Sequence, residues 1–395
     1  LEKISFEIEL VTPMFMGGAD PQGPLEFRAA SLKGLLRFWF RAIYPGQWQE
    51  EERLFGSTDY RSPVKITTSV KKLVDGKVKS DKLHDYAYLG YGLLKYDKNK
   101  QKNLTERPFF DVGTQLTIHF SFVGSLDQND REKILRAFWA LAMFGGLGAR
   151  SRRGFGSFKV NSPENSYDLP FSFAERQDYF KNMKAALGEI KKTRKGSLPK
   201  HTCFSPYSRV VISPAASSAQ KAWQKIGKQF KDYRDYKHNL DAKNDHDLMM
   251  DYLWHGTAPK TTPTRAAFGL PHNYFFKKKD IAGQVRPELK GGVDLLQEGK
   301  AGRRASPVMM HIQKFADGQA SAVVSYLPAQ FTPETEKHGE KVMQRLRISG
   351  VQQECVKGKK NILFKQKPNF KEPPTFSMVE GFIEELINNS HEAIL

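Results

Sequence analysis

Apolar side chains recur along this chain with two different periods, and each period predicts a different element. In residues 3–11, KISFEIELV, Ile4, Phe6, Ile8 and Leu10 alternate with polar residues, the pattern of a strand with one face on a core. The alternation returns in 113–123, GTQLTIHFSFV, through Leu116, Ile118, Phe120 and Phe122, and a shorter strand is expected over 64–70. Between the first two strands the period lengthens. Leu32, Leu35, Leu36, Trp39 and Ile43 share one side of a helix that Ser31 would cap and that ends near Tyr44. A second short helix is expected over 49–55. Residues 130–144 read as an apolar helix buried on most sides, and 155–160 as a short strand. The resulting order is β-α-β-β-α-β, the split βαβ or ferredoxin-like arrangement. Residues 71–107 are lysine-rich around an apolar patch at 86–94 and read as an insertion holding one hairpin.

The second half repeats the mixture of periods less regularly. A linker is expected over 161–170, then a helix over 171–190 that runs into the basic stretch Lys191-Lys192-Thr193-Arg194-Lys195. A short strand over 207–213 precedes a polar, basic helix over 215–240, with a further helical turn or two at 248–254. Glycine, proline and lysine punctuate 256–306, which predicts long loops around short strands. Residues 307–315 and 320–327 read as a hairpin that turns at Asp317-Gly318. In 377–388, Val379, Phe382, Ile383, Leu386 and Ile387 trace an amphipathic stripe. The fold class is α+β, divided into an N-terminal domain, 1–163, and a C-terminal domain, 164–395.

Charge narrows the function. Lys and Arg total 62 against 43 acidic residues in 395, a net +19, which predicts a polyanionic partner and salt-sensitive binding. Cys203 and Cys355 are the only cysteines, so neither a disulfide framework nor a cysteine zinc site is available. No stretch has the length of a transmembrane helix and no signal-peptide pattern opens the chain. A cytoplasmic protein without membrane association is expected.

The densest candidate chemistry lies in the loop after the apolar helix, Phe144 to Ser157, FGGLGARSRRGFGS. Its glycines Gly145, Gly146, Gly148, Gly154 and Gly156 would let another molecule approach the main chain, whose N–H groups would form an anion-binding nest. Arg150, Arg152 and Arg153 would add bidentate phosphate contacts. The alternative is a glycine-rich hinge with solvated arginines. Phe155 would stack on a base or else enter the core. Lys33, Arg37 and Arg41 repeat every four residues along the first helix, with Arg28 at their edge; they extend the basic track or form a solvated face.

Three separated blocks carry a family resemblance. They are TPMFMGGADPQGPLEFRAASLKGLLRFWFRA at 12–42, GGLGARSRRGFGS at 145–157, and a split block, AFGLPHNY at 267–274 with GRRASPVMMHI at 302–312. In this order they resemble the repeat-associated mysterious protein (RAMP) superfamily and, within it, the first subunit of the Cmr complex, the type III-B CRISPR effector. The resemblance implies two ferredoxin-like (RRM-like) domains with insertions and a place at the head of a complex containing crRNA. It also implies contact with single-stranded guide or target RNA and with other Cmr subunits. In that family a different subunit cuts the target, so the resemblance implies no catalysis. Arg303 and Arg304 lie in the third block; they would meet the first domain's loop across a cleft, or form a salt bridge at the domain interface. No motif is recognised in 71–107 or 328–376.

A rival reading is a metal-independent endoribonuclease of the guide-processing kind, with His84, His119, His201 or His311 as general base. The ten histidines form no clear metal motif. His246-Asp247, with His238 and Asp251, resembles an HD phosphohydrolase only faintly and reads better as a solvated helix face. No metal and no cofactor are expected. A third reading is a structural cap that binds only protein neighbours.

Overall fold

A computed structural model describes residues 2–395 except 125, 164–168, 189–196, 258, 277–280, 290–302, 332–334, 338–339, 343 and 353–373. The first alternating segment forms β1, Glu2–Leu10, with Ile4, Phe6, Ile8 and Leu10 buried. Helix α1 spans Ala29–Ile43 and begins two residues before the expected cap, with Arg28 at the N-cap position and no side-chain cap bond. Next come α2, Trp48–Phe55, and β2, Val64–Lys72. The insertion contains the expected hairpin, β3, Leu94–Asp97, paired with β4, Lys102–Thr105. Then β5, Gln115–Phe122, alternates between half-buried and buried along its whole length. Asp127 caps α3, Gln128–Phe144, by accepting from the Asp130 N–H. The unit closes with β6, Phe158–Pro163.

That last strand starts three residues later than its sequence predicts. Residues 151–153 make a turn of 3₁₀ helix, and Gly154 and Gly156 follow at φ +81° and +65°, a conformation no strand adopts. In the sheet, β1 pairs antiparallel with both β5 and β6, and β2 pairs with β5, giving the order β2-β5-β1-β6.

In the second half, α4 is Arg176–Gly188, β7 is Arg209–Ile212 and α5 is Ala219–Tyr233. The expected helix over 171–190 starts later because Phe171 and Phe173 are buried before it in non-helical chain. The turns expected at 248–254 belong to a longer helix, and the helix expected over 215–240 is shorter. It stops at Tyr233, and the Asn239 side chain accepts from Ala242 N to start α6, Leu240–His255; a capping side chain competes with helix continuation. Next come β8, His272–Phe276, and β9, Ile281–Leu289. The hairpin is β10, Val308–Lys314, and β11, Ala320–Tyr326, turning at Gly318 with φ +85°. Strand β12, Gln344–Gln352, pairs with β9; α7, Ser377–Asn388, and β13, Glu392–Ala393, end the chain. The linker residues 164–168 and the basic run 191–195 lie outside the described residues.

The second four-stranded sheet has the order β10-β11-β7-β13. Numbered by appearance among the strands of its own sheet, that is second, third, first, fourth, the order found in the first sheet. The mixed α+β class with antiparallel sheets is therefore as expected.

The two halves share packing. Val308, Met310 and Ile312 join Trp223 and Phe230 of α5 and Phe382 of α7 in one core. From the other face, Met309, Val323 and Leu327 join the core of α1, α3 and β1. Helix α3 thus lies between the first sheet and the second, which is why Leu135, Phe138 and Leu141 are all fully buried. The insertion also bridges the halves, since Tyr86 stacks on Trp223 with ring centroids 3.9 Å apart.

Candidate nucleic-acid interface

The three blocks singled out in the sequence converge on the seam between the halves. Thr12 Oγ1 donates to Gly154 O at 2.6 Å and accepts from Ser157 N at 2.9 Å. Gly156 N donates to Pro13 O, and Ala149 N to Phe15 O. Across the seam, Ile312 N donates to Ser157 Oγ at 3.0 Å, and Trp223 Nε1 to Arg153 O at 2.9 Å. The His311 Nδ1–H donates to Gly145 O at 2.8 Å. The split third block closes on itself, as Leu270 and Arg304 exchange both backbone hydrogen bonds.

This geometry corrects part of the loop's expected role. The N–H groups of Gly145, Leu147, Ala149, Arg153, Gly154, Gly156 and Ser157 all donate to oxygens within the protein, so they do not form an open nest. The glycines admit the protein's own neighbours rather than a ligand. A Cβ on Gly154 would stand 2.6 Å from Trp223 Nε1, and one on Gly145 2.7 Å from Trp39 Nε1. A Cβ on Gly146 or Gly148 would strike Phe155 O or Phe15 O, and one on Gly156 would overlap Leu147 O. Phe155 is fully buried, edge-on to Trp223 at 4.7 Å. No base can reach it.

The three loop arginines divide. Arg152 Nη1 donates to Ser306 O at 2.5 Å, with its guanidinium 5.1 Å from the Phe38 ring centre. Arg153 Nη1 donates to Val308 O at 3.2 Å, with its guanidinium 4.7 Å from the Phe230 ring centre. Both are positioned by carbonyls and rings without a carboxylate. Burial, then the Arg304 charge, pulls Arg152 down to about 10. Burial, then Arg234, pulls Arg153 down to about 9. Arg150 differs. It is exposed at the tip of the loop, with φ +60°. Desolvation lowers its pKa, and so does the charge of Arg303 from the other half. Arg303 is also exposed, and among the described residues neither cation has an ion pair. Arg304 instead donates from Nη2 to Ala329 O and lies over Phe331. The interface salt bridge considered for Arg303 and Arg304 is therefore absent among the described residues.

On α1 the basic stripe is largely an anchor. Arg37 Nε and Arg41 Nε reach the two oxygens of the buried Glu51 carboxylate at 2.6 and 3.2 Å, and Arg37 also donates to Gly56 O. These bonds fasten α2 to α1. They are neither a solvated face nor an open phosphate track. Lys33 carries a pKa lowered by burial and then by Arg37. Arg28 stands 3.7 Å from Glu26.

Sequence reasoning missed Arg234, which projects from the end of α5. It donates to Tyr88 OH at 2.9 Å and lies over the Phe230 and Phe268 rings at 4.9 Å. Basic residues are so frequent around it that no sequence signal marks it out.

The histidines considered as bases are scattered. His119 Nδ1 pairs with Ser5 Oγ at 2.7 Å on the outer face of the first sheet. His84 Nδ1 accepts from Asn103 N, His201 packs edge-on to Trp48, and His311 is buried at the seam. His246 stacks on Tyr236 at 4.1 Å, and no metal-binding group of three is found among the described residues. No described helix is long and apolar enough to cross a membrane.

Comparison with known proteins bears out the resemblance carried by the blocks. A RAMP superfamily profile matches residues 7–159. CRISPR system Cmr subunit Cmr1-2 from Pyrococcus furiosus is 34% identical over 178 residues, covering 39% of this chain and 93% of the relative. Cmr subunit Cmr1-1 from the same organism is 26% identical over 361 residues, 84% of this chain and 90% of the relative. The apo crystal structure of Cmr1 from Pyrococcus furiosus shares the fold, with a TM-score of 0.51 at 20% identity over 87% of this chain and 94% of that one. The chain belongs to the Cmr1 family of the RAMP superfamily, a subunit family of type III-B CRISPR effector complexes.

Proposed function

We propose that this chain is a non-catalytic RNA-binding subunit. It holds guide or target RNA at the head of a cytoplasmic type III-B ribonucleoprotein and docks to other Cmr subunits. The observation that carries this reading is that Arg150 and Arg303, from different halves, are both exposed without an ion pair among the described residues, desolvation and then the Arg303 charge lowering the Arg150 pKa. Uncompensated guanidiniums on a chain of net +19 match a phosphodiester backbone. The repeated strand order supports reading 1–163 and 164–395 as two ferredoxin-like domains. Neither sheet offers the aromatic platform through which such domains stack bases: the outer face of the first is polar, and the second is covered. The dispersal of the histidines supports a role without catalysis.

The test leaves Arg152 and Arg153 intact, because they bind carbonyls across the seam. Arg150→Glu combined with Arg303→Glu is measured against labelled single-stranded RNA across a salt series, in magnesium and in EDTA. The expected result is a loss of about tenfold or more in affinity with unchanged Tm, the RNA remaining intact on a denaturing gel. Wild-type affinity in the folded double variant would remove the assignment, and discrete RNA fragments in EDTA would favour the endoribonuclease.

A further inference from the structure

The insertion, which carries no recognised motif, places two exposed tyrosines beside the seam cations. Tyr88 is 39% and Tyr91 58% exposed, although both lie in the insertion's apolar patch. Each stands next to a guanidinium. Arg150 Nη2 lies 3.3 Å from where a Cβ on Gly92 would stand, and its pKa responds to Tyr91. Arg234 donates to the Tyr88 hydroxyl at 2.9 Å.

Arg234 is held in place by rings rather than by charge. Its guanidinium is 4.9 Å from Phe230, 4.9 Å from Phe268 and 5.7 Å from Tyr88. The only other polar side-chain partner described for it is His272 Nδ1, at 3.4 Å, which burial keeps neutral near pH 7. Arg153 packs on the same Phe230 ring and repels it. Two like charges share one aromatic wall, and no described carboxylate neutralises either. Such an arrangement is costly empty and relieved by an anion. Rings alternating with uncompensated guanidiniums fit successive bases and phosphates of a single strand; an acidic peptide would use the cations and leave the rings idle.

We propose that Tyr88, Tyr91, Arg150 and Arg234 form a rim on which single-stranded RNA lies, its bases on the two tyrosine rings and its phosphates on the two guanidiniums. The proposal rests on the RNA-binding reading above and gives that RNA a path over the insertion.

The experiment uses the full chain and a labelled oligouridylate of about ten nucleotides, titrated across a salt series. Arg234→Met keeps the packing stem and is expected to weaken binding about tenfold while lowering the slope of log K against log salt by about 0.7, one phosphate contact on a single strand. Tyr88→Ala and Tyr91→Ala are each expected to weaken binding about fivefold or more with the slope unchanged. Tyr88→Phe keeps the ring but loses the hydroxyl that accepts from Arg234, and is expected to weaken binding less than Tyr88→Ala does. Thermal melts confirm that each variant is folded. If wild type binds with a steep salt slope while the folded variants match it in affinity and slope, the rim is refuted and the RNA-binding reading survives. If wild type fails to bind at low salt, both fall. Displacement of the oligouridylate by polyglutamate of equal charge as readily as by unlabelled RNA would overturn the rim in favour of an acidic protein segment. Displacement by uridine monophosphate at equal nucleotide concentration would overturn the strand in favour of a mononucleotide.

Discussion

In the sheet β2-β5-β1-β6, the residues that alternate with the core are polar and half-buried: Ser5, Glu7, Thr117, His119 and Ser121. In the sheet β10-β11-β7-β13, every residue of β11 is buried. One strand order thus occurs in two environments. The first sheet has a helical face and an outer face; the second has α5 and α7 on one side and α3 of the other half on the other. A sheet covered on both sides loses its period-two alternation, and β11, ASAVVSY, has none. With one sheet polar and the other covered, Arg150 and Arg303 are left exposed near the seam between the halves.

Placing a charge on each sheet breaks this comparison most severely. Val323→Asp, on the covered face, is expected to cost roughly 3–5 kcal/mol, because the carboxylate would be buried without a partner. Ser121→Asp, on the outer face opposite Lys3 and Lys65, is expected to stay within about 0.5 kcal/mol of wild type. Urea denaturation of both variants decides it; equal losses would mean that the second sheet's face is not covered.

Acid sharpens the comparison next. His311 is buried on the covered face, and desolvation lowers its pKa from 6.5 to about 4. Between those values the unfolded chain binds the proton that the folded chain refuses. The stability held by neutral His311 is therefore complete above pH 6.5 and is lost as pH falls toward 4, by about 3 kcal/mol in all. His311→Gln is expected to flatten this part of the stability profile, measured by denaturant melts between pH 7 and pH 4. His119, paired on the outer face, has a pKa that burial, then Lys3, lowers, and His119→Gln is expected to change the profile less.

The smallest expected effects separate seam cations that hold from those that bind. Arg152→Met removes the bond to Ser306 O and is expected to cost about 1.5 kcal/mol. Arg150→Met is expected to leave stability within about 0.5 kcal/mol and to lower RNA affinity instead. A folded Arg152→Met variant with wild-type Tm would put Arg152 among the binding residues.

Much of the fold was legible because local patterns state local environments. The alternation of Ile4, Phe6, Ile8 and Leu10, the stripe on α1 and the hairpin at Asp317-Gly318 each require only neighbours in sequence to be recognised. Boundaries were less legible where short-range chemistry intervened, as at Asn239, whose cap starts α6 well before the turns expected at 248–254, and at Gly154 and Gly156, whose positive φ delays β6. The loop at 145–157 was found by its composition, but its function was misread in part. Gly154 and Phe155 have the same sequence signature whether they meet a nucleotide or Trp223, and only the approach of α5 decides between them.

By itself the sequence determined most strands and helices of the first half with their order β-α-β-β-α-β, the basic excess and the family. Those properties follow from side-chain period, charge and motif, all of which are written along one dimension. Tertiary structure alone decided that the second sheet lies against α3, that Arg37 and Arg41 share Glu51, and that Arg152 and Arg153 bind carbonyls while Arg150 and Arg303 remain exposed. A guanidinium's partner is set by what folds next to it, often more than a hundred residues away, and no local pattern encodes that distance.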